Sequence, residues 1–331
     1  MLLNIFAILA GFLLLIWSAD RFVIGASGIA LNFGVSPLII GLTIVGFGTS
    51  APEMIVSGVA AFEGTPNLAV GNAIGSNITN IALVLGITAL VTPLMVDSKI
   101  LKREYPIMFF IMLLAWWLLS DGTLSHSDGY ILMFGMFALM VLVTLLGIHE
   151  SRQSKLSNAI ENDPLETEFA EGIPTDMSTS MAFLWLFVGL IVLLISSRLL
   201  VWGAVNIAHE YQVSELVIGL TIIAIGTSLP ELAASISSAL KNEHEIAIGN
   251  IIGSNMFNLL GVLGIPGIMT GAILEPSVLD RDYPVMLILS VLLFIFAYGF
   301  KGKGKINRFE GGILLLCYIS YMFVIYRDSL L

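Results

Sequence analysis

The sequence predicts an all-α integral membrane protein of ten transmembrane helices, arranged as two inverted five-helix repeats. Three observations carry that reading. The chain is 57% hydrophobic and 11% charged, with a mean hydropathy of +0.96, which is outside soluble usage and matched to a lipid solvent. It holds ten apolar runs of roughly the 20 residues that cross a bilayer. Two sets of polar blocks also recur within these runs at a constant offset of 178 residues.

The first run, residues 2–19, lacks a basic leader and lies opposite 181–197 at that offset. It reads as a retained helix rather than a cleaved signal. Further helices are expected near 36–62, 67–92, 104–120 and 129–148, and a second set near 181–200, 214–240, 246–271, 283–300 and 308–326. Five is odd, so the second copy enters the membrane from the opposite side and the copies become inverted repeats. The expected division is a first repeat at 1–148 (motif 41–87), an acidic cytoplasmic linker at 149–180, and a second repeat at 181–331 (motif 219–265).

Basic residues orient the frame. Arg21, Lys99, Lys102, Arg103, Arg152, Lys155, Lys241, Lys301, Lys303, Lys305 and Arg308 fall in connections on one side, against Arg198, Arg281 and Arg327 on the other. That bias puts both termini outside the plasma (inner) membrane and the long loop in the cytoplasm. The net charge of −10 says little about partners, because several acids cluster between Glu150 and Asp176. No nucleic-acid or protein partner is evident. The single cysteine, Cys317, lies in an apolar run and reads as packing; disulfides and thiolate metal sites are excluded.

The recurring blocks are Gly48-Thr49-Ser50-Ala51-Pro52-Glu53 with Gly226-Thr227-Ser228-Leu229-Pro230-Glu231, each preceded by Gly-Leu-Thr ending at Thr43 or Thr221. The next pair is Gly71-Asn72-Ala73-Ile74-Gly75-Ser76-Asn77-Ile78-Thr79-Asn80 with Gly249-Asn250-Ile251-Ile252-Gly253-Ser254-Asn255-Met256-Phe257-Asn258. A charge at the centre of a spanning helix costs about 2.5–3.5 kcal/mol, so Glu53 and Glu231 are functional candidates. Helical spacing places Thr49 and Ser50 on the face of Glu53, and Thr227 and Ser228 on that of Glu231. Pro52 and Pro230 kink their helices and free carbonyls around 46–49 and 224–227. Asn72, Ser76 and Asn80 recur every fourth residue, as do Asn250, Ser254 and Asn258; the glycine pairs let these stripes approach one another. Thr43 and Thr221 are expected to bond back to their own helices.

These donors are all hard oxygens, which suits Ca²⁺ or Na⁺ and argues against zinc or copper. His126, His149, His209 and His244 fall at helix ends or loops. A lone copy would be compatible with helix capping or interhelical hydrogen bonding. Two copies at fixed spacing point to one shared ion site.

The paired Gly-Thr-Ser-x-Pro-Glu and Gly-Asn-x-Ile-Gly-Ser-Asn blocks resemble the alpha repeats of the sodium/calcium exchangers in the calcium/cation antiporter superfamily, in the prokaryotic form without regulatory domains. The likeness covers almost the whole chain. It implies a secondary Na⁺/Ca²⁺ antiporter, not an enzyme, with no cofactor beyond the transported ions. It also implies that Glu53 and Glu231 are the central ligands. Thr49, Ser50, Thr227, Ser228, Ser76 and Ser254 would complete the Ca²⁺ and flanking Na⁺ sites, with backbone oxygens from Gly46 and Ala224. Asn258, matching Asn80, replaces an aspartate of some members, which leaves two acids and argues against potassium co-transport. The first helix of each copy would slide across the other eight, along a track of Gly25, Ala26 and Ala30 with Gly203, Ala204 and Ala208. A proton/calcium exchanger using the same carboxylates is the alternative, with a cation channel as a further rival. His-Glu-x-x-His and Gly-x-Ser-x-Gly motifs are absent, which argues against a membrane enzyme.

Overall fold

The computed structural model describes residues 1–97, 100–157, 177–211, 224–298 and 304–328. It is an all-helical membrane fold. The first half contains α1 (Leu2–Phe33), α2 (Pro37–Thr49), α3 (Ala51–Phe62), α4 (Pro66–Val91), α5 (Tyr105–Leu119) and α6 (His126–Ser157). The second contains α7 (Thr179–Glu210), α8 (Ala224–Thr227), α9 (Leu229–Leu240), α10 (His244–Met269), α11 (Tyr283–Ala297) and α12 (Arg308–Asp328). The bounds of α3 and α9, α4 and α10, and α5 and α11 match at the 178-residue offset. So do π turns at Asn80–Val84 and Asn258–Val262, and at Ile100–Glu104 and Val278–Asp282.

Among the described residues six helices are long and apolar enough to cross a membrane, or seven if α2 and α3, bent by 41°, form one broken span. The expected ten are not recovered by length alone. Helices α5 and α11 have 15 residues each, the π turn before each being separate, and most of the second-copy counterpart of α2 lies outside the described residues. Large apolar side chains such as Phe6, Phe12, Phe110, Trp117, Phe134, Phe187, Ile288 and Phe323 face outward, which is the surface a lipid solvent requires.

Two expectations are corrected. Helices α1 and α7 run 32 residues each, so Asp20, Arg21 and Arg198 lie inside helices and not in connections. Residues 22–33 are almost wholly apolar and continue the helix until Gly34, whose left-handed backbone (φ 63°) caps it by N–H bonds to the Ala30 and Leu31 carbonyls. The charges at 20 and 21 are accommodated laterally, Asp20 by Lys241 at 2.6 Å and Arg21 over the Trp185 ring at 4.9 Å. Second, the expected linker begins as helix, because α6 continues to Ser157; residues 158–176 lie outside the described residues.

The halves contact each other reciprocally. Strand β1 (Leu94–Val96) pairs with β4 (Gly304–Ile306), and β2 (Thr123–Leu124) with β3 (Ala272–Ile273), so each half gives a strand to the other. The Tyr105 hydroxyl donates to the Ser290 carbonyl at 2.9 Å, and Tyr283, its counterpart, donates to Met112 at 2.8 Å. A Cβ at Gly25 would meet the backbone of Ala182 and Leu186, and one at Gly203 the carbonyl of Asn4 and the side chain of Ile8. Residues 4 and 8 are the counterparts of 182 and 186.

Among the described residues, buried apolar side chains form two clusters. The larger spans α2, α4–α6 and α9–α12; the other joins Leu15, Ala19, Phe22, Ala26 and Ala30 of α1 to Ala182, Leu186 and Leu193 of α7. Helices α1 and α7 therefore pack chiefly on one another. Cys317 packs against the larger cluster, as expected of a structural thiol.

Gly129 of α6 lies against the backbone of Gly267 and Ile268 in α10, where a side chain has no room. Gly129→Val should lower the thermal midpoint in detergent by a loss of about 1–3 kcal/mol, the usual effect of overpacking. In the α9–α10 connection, burial pushes the Glu243 carboxyl up to about 7, with Glu245 adding to the shift. A raised carboxyl favours the fold while protonated and opposes it once ionised. Glu243→Gln should match the parent near pH 4.5 and become the more stable of the two as pH rises through about 7, read by thermal melts across that window.

Candidate functional site

The break between α2 and α3 falls at Ser50, and Pro52 takes up the first turn of α3, where its missing N–H leaves no unmet bond. Pro230 does the same for α9. The expected kinked helix over 36–62 is thus two helices. Each break sets a glutamate, Glu53 or Glu231, in the first turn of the following helix, where the positive end of the helix dipole favours a carboxylate. It also ends α2 and α8 at Thr49 and Thr227.

Both glutamates are 1% exposed. The Glu231 carboxylate lies within electrostatic reach of Glu53 and beside the Thr49 and Ser50 hydroxyls of the other half. Among the described residues no Lys, Arg or His forms an ion pair with either acid. Nor is there any cluster of three His, Cys, Asp or Glu. Two acids and neutral oxygens make up the set.

Several of those oxygens are buried without a hydrogen-bond donor: both Oε atoms of Glu53, Oε2 of Glu231, the hydroxyls of Ser50 and Ser228, and Oδ1 of Asn80 and Asn258. Native interiors rarely leave such groups unmet. Here seven come from matched positions of two copies. Oxygens of this kind are the donors that a hard cation takes as ligands.

The other expected residues fall around this set. Ser76 and Ser254 are buried on α4 and α10. The Ser254 hydroxyl lies 3.3 Å from the Gly46 carbonyl and 3.4 Å from the Thr49 hydroxyl, and Thr49 donates to Asn250 Oδ1 at 3.1 Å. Gly46 is a contact point between the copies, its carbonyl also accepting the Ser50 N–H at 3.1 Å. Thr227 is half-buried at the end of α8, which Ala224 opens. Thr43 bonds back to Ile39 at 2.6 Å, as its position suggested; Thr221 lies outside the described residues. Of the histidines, His126 meets the Ile268 carbonyl at 3.1 Å, away from the acids.

Asn72 and Asn250, expected as members of the polar stripes, take a more specific role, and Asn77 and Asn255 were given none by the sequence. Asn72 and Asn250 donate to the backbone carbonyls of Glu53 and Glu231 at 3.2 and 3.3 Å, clamping each acid-bearing helix to the next. Asn77 and Asn255 lie off the four-residue stripe, fully buried where α4 crosses α10, and bond to Asn258 and Asn80. Their recurrence in both copies was the available signal. The π turns beginning at Asn80 and Asn258 were likewise unforeseen; such turns concentrate at functional sites.

Known proteins share this architecture. The family model described as "Sodium/calcium exchanger protein" matches residues 3–146 and 181–327. A putative antiporter, CaxA, of Alkalimonas amylolytica is 47% identical over 99% of this chain and 100% of its own. The inner membrane protein YrbG of Escherichia coli (strain K12) is 42% identical over 98% of each chain. The solved sodium-calcium exchanger NCX_Mj, soaked with Na⁺ and Ca²⁺, superposes with a TM-score of 0.76 at 33% identity, covering 96% of this chain and 97% of that one. With both halves matched by the family model and the fold shared along nearly its full length, the chain belongs to the sodium/calcium exchanger protein family.

Proposed function

We propose that the protein exchanges Na⁺ for Ca²⁺ across the inner membrane by alternating access, with Glu53 and Glu231 as the central ligands. The observation that carries this reading is the set of buried, donor-free oxygens contributed in matched pairs by the two copies. Thr49, Thr227, Ser50, Ser228, Ser76, Ser254, Asn80 and Asn258, with the carbonyls of Gly46 and Ala224, complete the site in this proposal. Relatives named as exchangers and antiporters support it.

The reciprocal strand pairs and tyrosine bonds support ten spans in two inverted five-helix repeats, 1–148 and 181–331, joined by the 149–180 segment. Pairing of β1 with β4, and the Arg308 guanidinium donating to the Val91 carbonyl at 3.2 Å, support a basic end that includes Lys305 and Arg308. A cytoplasmic location for that end, with both termini outside, follows the positive-inside bias even after Arg21 and Arg198 are assigned to helices.

The mechanism rests on charge. Two ionised carboxylates cannot be enclosed together in a weakly polarisable interior without a counter-charge. A Ca²⁺ ion supplies it in one step, and two or more Na⁺ ions in several. Occlusion is then open to the loaded site and closed to the empty one, so inward Na⁺ movement is coupled to outward Ca²⁺ movement. Neutral hydroxyls and amides adjust to either ion without changing the charge balance.

In proteoliposomes loaded with Na⁺, radioactive Ca²⁺ uptake should require the outward Na⁺ gradient and be indifferent to K⁺. Glu53→Gln and Glu231→Gln should each reduce uptake at least about 100-fold, as expected when a buried charge is left without its counterpart. Cys317→Ser should transport normally. Full exchange by either glutamine variant would remove the assigned ligands. Uptake that persists with choline in place of Na⁺ but follows a pH gradient would make the counter-ion a proton.

A further inference from the structure

Asn77 and Asn255 sit at the crossing of α4 and α10, wholly buried. Asn80 donates its Nδ2 to Asn255 Oδ1 at 3.2 Å, and Asn258 donates to Asn77 Oδ1 at 3.1 Å, the same bond with the copies exchanged. Asn77 Nδ2 in turn donates to the Asn255 carbonyl at 3.2 Å and lies 3.5 Å from the Met286 sulfur; Asn255 Nδ2 lies 3.9 Å from the Met108 sulfur. A primary amide has two faces, one accepting and one donating. With Nδ2 of Asn80 and Asn258 tied down in this way, Oδ1 of each is left buried and without a donor. Rotating either amide by half a turn would set oxygen against oxygen at Asn77 or Asn255 and aim an N–H where the proposed ion binds.

We propose that Asn77 and Asn255 are positioning residues that fix the amides of Asn258 and Asn80, one from each half, so that carbonyl oxygens and not N–H groups face the ion. This rests on the ion site argued above. The oxygens they orient belong to opposite halves, so the pair also ties the geometry of one copy to that of the other.

Coupling between substitutions tests it, with Ca²⁺ affinity measured by equilibrium dialysis in detergent. Asn80→Ala and Asn255→Ala should each weaken binding about 10-fold or more, the usual cost of losing a ligand's orienting partner. The double variant should be no worse than either single. Asn77 and Asn258 should behave in the same way, whereas Asn77→Ala with Asn80→Ala should be additive. Asn255→Thr, which keeps an acceptor oxygen, should recover most of the loss and serves where the alanine variant does not fold. Additive losses in both matched pairs would overturn the positioning role while leaving the ion site intact. Unchanged binding in Asn80→Ala and Asn258→Ala would overturn the amide ligands themselves.

A second inference comes from an independent asymmetry. Asp20 of α1 pairs with Lys241, just beyond α9, at 2.6 Å. The counterparts of these residues at the 178-residue offset are Arg198 and Glu63, the same pair with its charges exchanged. The two connections share their form, Gly64 and Asn242 both taking left-handed backbone at φ 76° and 62°. Yet Arg198 and Glu63 are exposed and make no ion pair among the described residues. Helix α1 packs extensively along α9, whereas α7 has no comparable contact with α3 among the described residues. Ile55 and Val59 of α3 are accordingly exposed, while their counterparts Ala233 and Ser237 on α9 are half-covered.

We infer that Asp20–Lys241 and Arg198–Glu63 are alternating latches: movement of the α1–α7 pair from α9 toward α3 opens the first and closes the second. In a Cys317→Ser background, Asp20→Cys with Lys241→Cys, and Glu63→Cys with Arg198→Cys, would be treated in proteoliposomes with a short bifunctional thiol reagent. Each pair should cross-link under opposite ion gradients, and each link should stop Ca²⁺ exchange until it is reduced. Failure of the 63–198 pair to link under either gradient, or full exchange with the 20–241 link in place, would overturn the latch.

Discussion

Two carboxylates buried within electrostatic reach of one another, with no basic partner among the described residues, are the constraint on which the rest of this structure depends. Such a pair is costly to enclose unless positive charge accompanies it. The surrounding architecture is arranged to keep the acids there. Helix breaks at Ser50 and Ser228 place them at the positive ends of α3 and α9, and Asn72 and Asn250 bind their backbone carbonyls. A soluble fold would meet this cost with water. In a lipid-facing shell, the neighbouring hydroxyls and amides, and in the proposed function the cargo, do so.

Duplication explains how one chain can build such a site. Each half supplies one acid, one broken helix and one polar stripe, and each half's contacts with the other recur with the roles exchanged. The symmetry is imperfect in how α1 and α7 pack. The larger apolar cluster binds most helices into one body, while α1 and α7 share their own cluster and lean toward the second copy.

The local chemistry was legible because it depends on near neighbours. Polar residues in apolar runs stand out against lipid, so Glu53, Glu231 and the Thr, Ser and Asn around them could be named from spacing alone. The bounds of α4, α5, α10 and α11 fell within a few residues of those expected, apolar periodicity and proline punctuation being local signals. The lengths of α1 and α7 were misjudged because Asp20, Arg21 and Arg198 resemble helix ends when their lateral partners are unknown.

By itself the sequence determined a lipid-solvated, duplicated chain with one acid per copy and an oxygen-only donor set, since composition and repeat spacing are properties of the chain read in one dimension. Only the tertiary structure decided which oxygens are left without donors, which way the Asn80 and Asn258 amides point, and that Asp20 pairs with Lys241. Those depend on atoms about 175 to 220 residues apart meeting in space. Hydrogen bonds and ion pairs reach only a few ångströms, so no pattern along the chain fixes them until the helices cross.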